Sequence, residues 1–226
     1  MDIIRCFLTS SLVVLLLVGN WGCNKAVDTP TVSSSPESAP VATASKPATS
    51  ASESIKFKQE NGTEAFVLKF MPDGAKLVDG KNQELARFNV DSQRKVKIKN
   101  AADQVLGYVV PENGYWKLEN SDQSQELYVM RRQADGDYKL ETGKNQPVYR
   151  IKVRDYGFEI ETPQKQSLYK VKVKEGKTSL RNANDQTVLS TKSNLAPIAI
   201  APFGFDQLSR EQQAALAYAL NQAGGQ

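Results

Sequence analysis

From Ile55 to about Ser193, apolar and polar residues alternate in short arms separated by polar turns, the period of strands with one buried face. The stretch FEIETPQKQSLYKVKV, Phe158 to Val173, shows the unit. Phe158 and Ile160 fall on one face and Glu159 and Glu161 on the other. A turn follows at Thr162 to Lys165, and then Tyr169, Val171 and Val173 alternate with Lys170 and Lys172. This is the pattern of a β-hairpin. Gln166 follows Ile160 by six residues and Leu168 comes two later; the same offsets join Leu77 to Gln83 and Leu85, Ile98 to Gln104 and Leu106, Leu140 to Gln146 and Val148, and Leu180 to Gln186 and Val188. Leu118, Gln125 and Leu127 repeat it with one extra turn residue, and successive first arms lie 20 to 22 residues apart. Six hairpins, hence about twelve strands, are expected, with a weaker seventh copy ahead of them at Phe57, Phe66 and the turn Glu60-Asn61-Gly62-Thr63.

Turns such as Asp79-Gly80-Lys81-Asn82 and Thr142-Gly143-Lys144-Asn145 supply residues that tolerate left-handed backbone or bond their own main chain. Links between hairpins, such as Lys174-Glu175-Gly176-Lys177, are equally short, so the sequence predicts an antiparallel up-and-down meander. A sheet of this size curls or closes to protect its edges, and a closed barrel with the apolar face inward is the simplest outcome. Twelve strands enclose more space than their own side chains fill, leaving a flattened sandwich or an inserted filler as the alternatives. The filler expected is a helix over Arg210 to Asn221, capped by Asp206 or Ser209. Its segment AALAYAL has no charge, which suits burial inside the barrel; the alternative is a helix across the mouth with Leu216 and Leu220 inward. The division is a signal at 1–22, a tether at 23–54, the hairpin domain at 55–193, and a linker plus helix at 194–226 belonging to the same domain.

Ahead of the domain the pattern changes twice. Arg5, an apolar segment centred on Leu12 to Val18, and Gly22 before Cys23 have the form of a bacterial lipoprotein signal, in which the cysteine after the cleavage site is acylated. Asn20 and Trp21 occupy places where such signals favour an aliphatic and a small residue, respectively. The apolar segment is short for a bilayer span. From Asn24 to Ser54 the chain is rich in Ser, Thr, Ala and Pro with no aromatic residue, a composition that cannot offset its ordering entropy and reads as an extended tether. Cys23 is therefore the expected lipidation site, anchoring the protein to a membrane of the cell envelope outside the cytoplasm.

Composition narrows the chemistry. No histidine occurs and the only cysteines are Cys6 and Cys23, which removes histidine-based nucleophile systems, Cys/His zinc sites and disulfides within the domain. The net charge of +4 is mild and the cations interleave with acids, so nucleic-acid binding is not expected. One stripe stands out as a candidate ligand surface for anionic headgroups: Arg150, Lys152 and Arg154 in one hairpin with Lys170, Lys172 and Lys174 in the next. The recurring glutamines either close turns or form an amide ring at one end of the barrel. The acid pair Glu159 and Glu161 reads as a solvated face. No catalytic residue, metal or cofactor is expected, and the oligomeric state is open.

Six hairpins followed by an apolar C-terminal helix, with Asp73-Gly74 and Gln166-Ser167-Leu168-Tyr169 among the repeat features, resemble the Tubby C-terminal and LURP-one-related group, which includes the phospholipid scramblases. The resemblance implies a twelve-stranded barrel around a central hydrophobic helix over Ile55 to Gln226. Members include phosphoinositide binders, but no position here matches their basic headgroup site. The expected role is a non-enzymatic binding or structural module of an anchored lipoprotein, with envelope lipid, polysaccharide or protein as partner. The alternative is a lipid-handling barrel gated by the C-terminal helix.

Overall fold

The structure, a computed structural model, describes residues 53–224; Cys23 and nearly all of the tether lie outside the described residues. Fourteen antiparallel strands form one closed barrel, each paired with its sequence neighbours. They are β1 (Ser54–Lys58), β2 (Glu64–Met71), β3 (Gly74–Asp79), β4 (Glu84–Val90), β5 (Val96–Asn100), β6 (Val105–Glu112), β7 (Tyr115–Glu119), β8 (Glu126–Arg132), β9 (Tyr138–Thr142), β10 (Pro147–Arg154), β11 (Gly157–Glu161), β12 (Ser167–Lys174), β13 (Lys177–Asn182) and β14 (Thr187–Thr191). The count of about twelve is thus corrected to fourteen. The extra pair is β1–β2, at the faint copy around Phe57 and Phe66, and it does topological work. β1 meets β14 at Lys58 opposite Ser190 and removes the edges that twelve strands would leave open.

Each hairpin carries one register slip at the same level. It leaves an extra apolar residue in the second arm: Ala65, Leu85, Leu106, Leu127, Val148, Leu168 and Val188. These are β-bulges, which raise the local twist and bend the sheet toward closure at a barrel rim. They follow turns tied by a side-chain oxygen. Asp79 Oδ1 accepts the N–H groups of Lys81 and Gln83 at 2.9 and 2.8 Å, and Asn182 Oδ1 accepts those of Asn184 and Gln186, both at 3.0 Å. The residue before the glutamine is left-handed at Asn82, Asp103, Asn145, Lys165 and Asp185. The glutamines close these loops through their backbones and their side chains are exposed, so no amide ring lines the lumen.

Inward positions form the core. Val96, Ile98, Trp116, Leu118, Tyr138, Leu140 and Ile160 are buried, while Lys97, Lys117, Lys139 and Glu159 alternate with them on the other face. The lumen is filled by two helical pieces. The α-helix, α1 (Arg210–Gln222), begins at Ser209, whose hydroxyl accepts the Gln212 N–H at 3.3 Å while the Gln212 side chain accepts the Ser209 N–H at 3.0 Å. From Gln213 to Leu220 every side chain is buried, so the helix is enclosed on all sides and packs against β3 to β7. The stretch expected as a linker is the second filler. Pro197–Gly204 winds as a buried 3₁₀ segment against β11 to β13. Pro202, which lacks an N–H and clashes with the preceding turn, disfavours an α-helix there. Gly204 allows close packing there: a Cβ would come 3.0 Å from the Tyr169 ring and 3.3 Å from Ile160, pressing on both.

The two pieces make a hairpin inside the barrel. Phe203 packs 5.0 Å from both Phe57 and Phe66, Phe205 stacks on Tyr149 at 5.2 Å, and Gln213 Nε2 ties back to the Phe205 carbonyl at 3.0 Å. Asn221 Oδ1 accepts the Ala196 N–H at 3.0 Å, joining the end of α1 to the entry of the 3₁₀ segment. The end of α1 therefore lies at the same rim as Ser54, and the bulged turns ring the opposite rim.

Candidate functional site

The basic stripe is present on the outer wall, but carboxylates interleave its β10 half. β10 and β12 flank β11, and their register sets Arg150 opposite Glu161 and both Lys152 and Lys170 opposite Glu159. Arg154 sits between two acids, 2.9 Å from Glu159 and 3.1 Å from Glu161. Lys152 pairs with Asp137, whose other oxygen accepts the Val153 N–H at 2.8 Å. Lys172 reaches Asp185 at 2.7 Å, and Lys174 meets Glu175 at 3.7 Å on a fully solvated turn. Burial pushes the Glu159 carboxyl up. The nearby Ser167 hydroxyl, the Arg154 hydrogen bond, and the charges of Arg154 and Lys170 outweigh that and hold it below the ordinary carboxylate value. A glutamate held ionised between cations stabilises the sheet and is poorly suited to donate a proton.

A second feature combines residues that are distant in sequence. At the rim where α1 ends, a hollow of about 750 Å3 is lined by Arg94, Asn113, Trp116, Arg132 and Gln222 among others. A smaller one of about 320 Å3 adjoins it through Arg94, Pro111 and Gln222 and reaches Asp73 and Tyr218. Arg94 is at the tip of the β4–β5 turn with φ 64°, its N–H bonded to the Asp91 carbonyl at 3.0 Å. Arg132 hydrogen-bonds Tyr138, whose phenol burial pushes above its ordinary pKa while Arg132 pulls it back. Trp116 is 3% exposed, and its buried indole N–H has no acceptor. Burial likewise raises the Tyr218 phenol. This rim offers donors to an anion or a polar group and contains no nucleophile paired with a base. Among the described residues no group of three or more His, Cys, Asp or Glu is placed to hold a metal.

Alternation along the chain does not assemble this rim, because its residues come from the β4–β5 and β6–β7 links, from β7 and β8, and from α1. Of the aromatic residues near turns, Tyr108, Tyr115 and Tyr156 lie under cations on the wall: Lys97, Arg131 and Lys172 stand 5.8, 4.9 and 5.8 Å from their ring centres.

No family model and no curated protein matches this chain. The solved structure of a protein from Arabidopsis thaliana aligns with 68% of this chain and 88% of that one at 12% identity and a TM-score of 0.36, a likeness too slight to support a conclusion.

Proposed function

We propose that this chain is a membrane-tethered bacterial lipoprotein, acylated at Cys23, whose barrel serves as a non-enzymatic binding or structural module on the outer side of a cell-envelope membrane. The observation that carries the reading is the order of segments. A signal-like stretch ends at Cys23, and a Pro/Ser/Thr/Ala spacer runs from there to Ser54, where β1 begins. Such a spacer holds a folded domain clear of a bilayer. Among the described residues no helix is long and apolar enough to cross a membrane. The recurring offsets and bulges support a barrel assembled from copies of one hairpin, on the plan of the Tubby C-terminal and LURP-one-related group. The filled lumen favours this reading over the lipid-handling one, because an acyl chain would have to displace Pro197–Gly204 and α1 together.

The test is intact-mass measurement of the detergent-extracted protein from bacterial membranes, beside a Cys23→Ser variant. Acylated mature chain beginning at Cys23 is expected for the wild type, and an unacylated, membrane-released or unprocessed chain for the variant. Wild-type protein retaining Met1 to Gly22, or lacking acyl mass, overturns the reading.

A further inference from the structure

Along much of the barrel wall, carboxylates hold outward cations of their own or the neighbouring strand. Glu84 holds Lys76 and Arg87, Glu126 faces Lys117, and Glu141 holds Arg131 and Lys139. That pattern stops where the barrel closes. The four adjacent strands β12, β13, β14 and β1 contain no Asp or Glu. Carboxylates reach their outer face from the neighbouring strands and from turns: Glu159 of β11 stands opposite Lys170, Asp185 reaches Lys172 and Arg181, Glu175 meets Lys174 and Glu64 meets Lys56, with Glu60 at the far end. Lys58, Lys177 and Lys192 have no carboxylate within 4.0 Å among the described residues.

The shape of this face is equally particular. Two hollows of about 510 and 410 Å3 share Lys177 and Lys192 and so form one trough. One register row crosses it: Lys172 opposite Ser179, Ser179 opposite Ser190, and Ser190 opposite Lys58. Ser179 and Ser190 are on the outer face yet only 5% and 6% exposed. Small hydroxyl residues therefore floor the trough, and longer basic side chains wall it. Three interstrand steps separate Lys172 from Lys58, about 14 Å at the usual spacing. A single small anion spans one step, whereas a chain of anionic groups spans them all.

We propose that this trough binds a linear polyanion bearing closely spaced phosphates. The free cations are lysines, point charges able to bind phosphate without a fixed geometry, and the one arginine, Arg181, is already engaged by Asp185. No aromatic side chain lines either hollow, so there is no platform for stacking the bases of a single-stranded nucleic acid, and the recognition is of phosphate charge alone. The inference rests on the barrel alone. It is independent of acylation at Cys23, so failure of either leaves the other standing.

The experiment is calorimetric titration of the full-length protein with inorganic tripolyphosphate, beside a Lys177→Ala/Lys192→Ala variant and an Arg150→Ala/Arg154→Ala variant from the carboxylate-compensated half of the stripe. Saturable binding is expected that weakens as salt is raised, as screening over about 10 Å at 0.1 M requires. A loss of about tenfold or more is expected in the lysine variant and less than about twofold in the arginine variant. All three proteins are compared by thermal melting, so that unfolding is distinguished from lost binding. Absence of saturable binding, undiminished binding by a folded lysine variant, or equal losses in the two variants overturns the proposal. Co-sedimentation with vesicles containing a tenth anionic phospholipid separates the sources of phosphate. Wild-type binding to vesicles without binding to tripolyphosphate overturns the soluble polymer in favour of a lipid surface.

Discussion

If α1 is enclosed by the barrel, both shrinking and enlarging its side chains must destabilise the fold. Leu216 and Ala215 are both fully buried, on different faces of the helix. Leu216→Ala removes three carbons from a packed site. The lost transfer energy plus the cavity it leaves comes to about 3 kcal/mol, within the range of about 2–5 for such changes. Alanine is the better helix former, so the intrinsic preference of α1 opposes this loss by a few tenths at most. Ala215→Leu is the sharper test. On a helix lying across a mouth the added carbons reach water or a loose surface and cost nothing, or add stability. Inside a lumen already shared with the 3₁₀ segment, they must displace neighbours, at about 1–3 kcal/mol. Urea unfolding followed by the fluorescence of Trp116, buried at 3% exposure, measures both. At about 2–4 °C per kcal/mol for a chain of this size, Leu216→Ala also lowers the melting temperature by about 6–12 °C. A neutral or stabilising Ala215→Leu refutes enclosure even if Leu216→Ala is costly.

Gly74→Ala should cost about 3 kcal/mol, since Gly74 has φ 149° and a Cβ would fall 1.8 Å from the Phe88 carbonyl oxygen; Gly114→Ala, with open space around it, should cost about 1. Urea midpoints compare the two, and equal costs would contradict the close approach of β3 to β4. Ser209→Ala removes the capping box and should cost about 1 kcal/mol by the same assay. Because the Glu159 carboxyl is held low in the folded protein, its contribution is present above the ordinary unfolded value of about 4.3 and lost as pH falls through the folded one. Thermal melts of Glu159→Gln should therefore show lower stability at neutral pH and a shallower acid decline than the wild type; parallel curves would count against it.

How much of this was readable in the chain depends on the range of the interactions involved. Alternation along Val96 to Ile98 or Tyr138 to Leu140 depends on neighbours two residues apart, so inward and outward faces could be assigned residue by residue. The offset from Gln83 to Leu85 and its copies was visible too, but its cause was not. A bulge is a relation between two strands, and only the pairing of Leu77 with Ala86 and Val78 with Glu84 shows Leu85 to be the extra residue. The 3₁₀ segment escaped because its signal, the uninterrupted apolar run from Ile198 to Phe203, has no period, and its prolines read as a linker.

The two candidate surfaces follow the same logic. The stripe on β10 and β12 was legible because its six cations lie in two successive hairpins. The same proximity brings Glu159 and Glu161 between them, so the visible candidate is the one in which carboxylates already compensate much of the charge. The trough requires β1 and β14 to be neighbours although Lys58 and Ser190 are far apart in the chain, and that adjacency exists only because the sheet closes. Lys58, Lys177 and Lys192 look in sequence like ordinary solvated lysines. What distinguishes them is the lack of any acid on four strands in a row. Closure thus does two things at once: it removes the open edges, and it joins two ends of the chain whose unbalanced charge no local reading would add together.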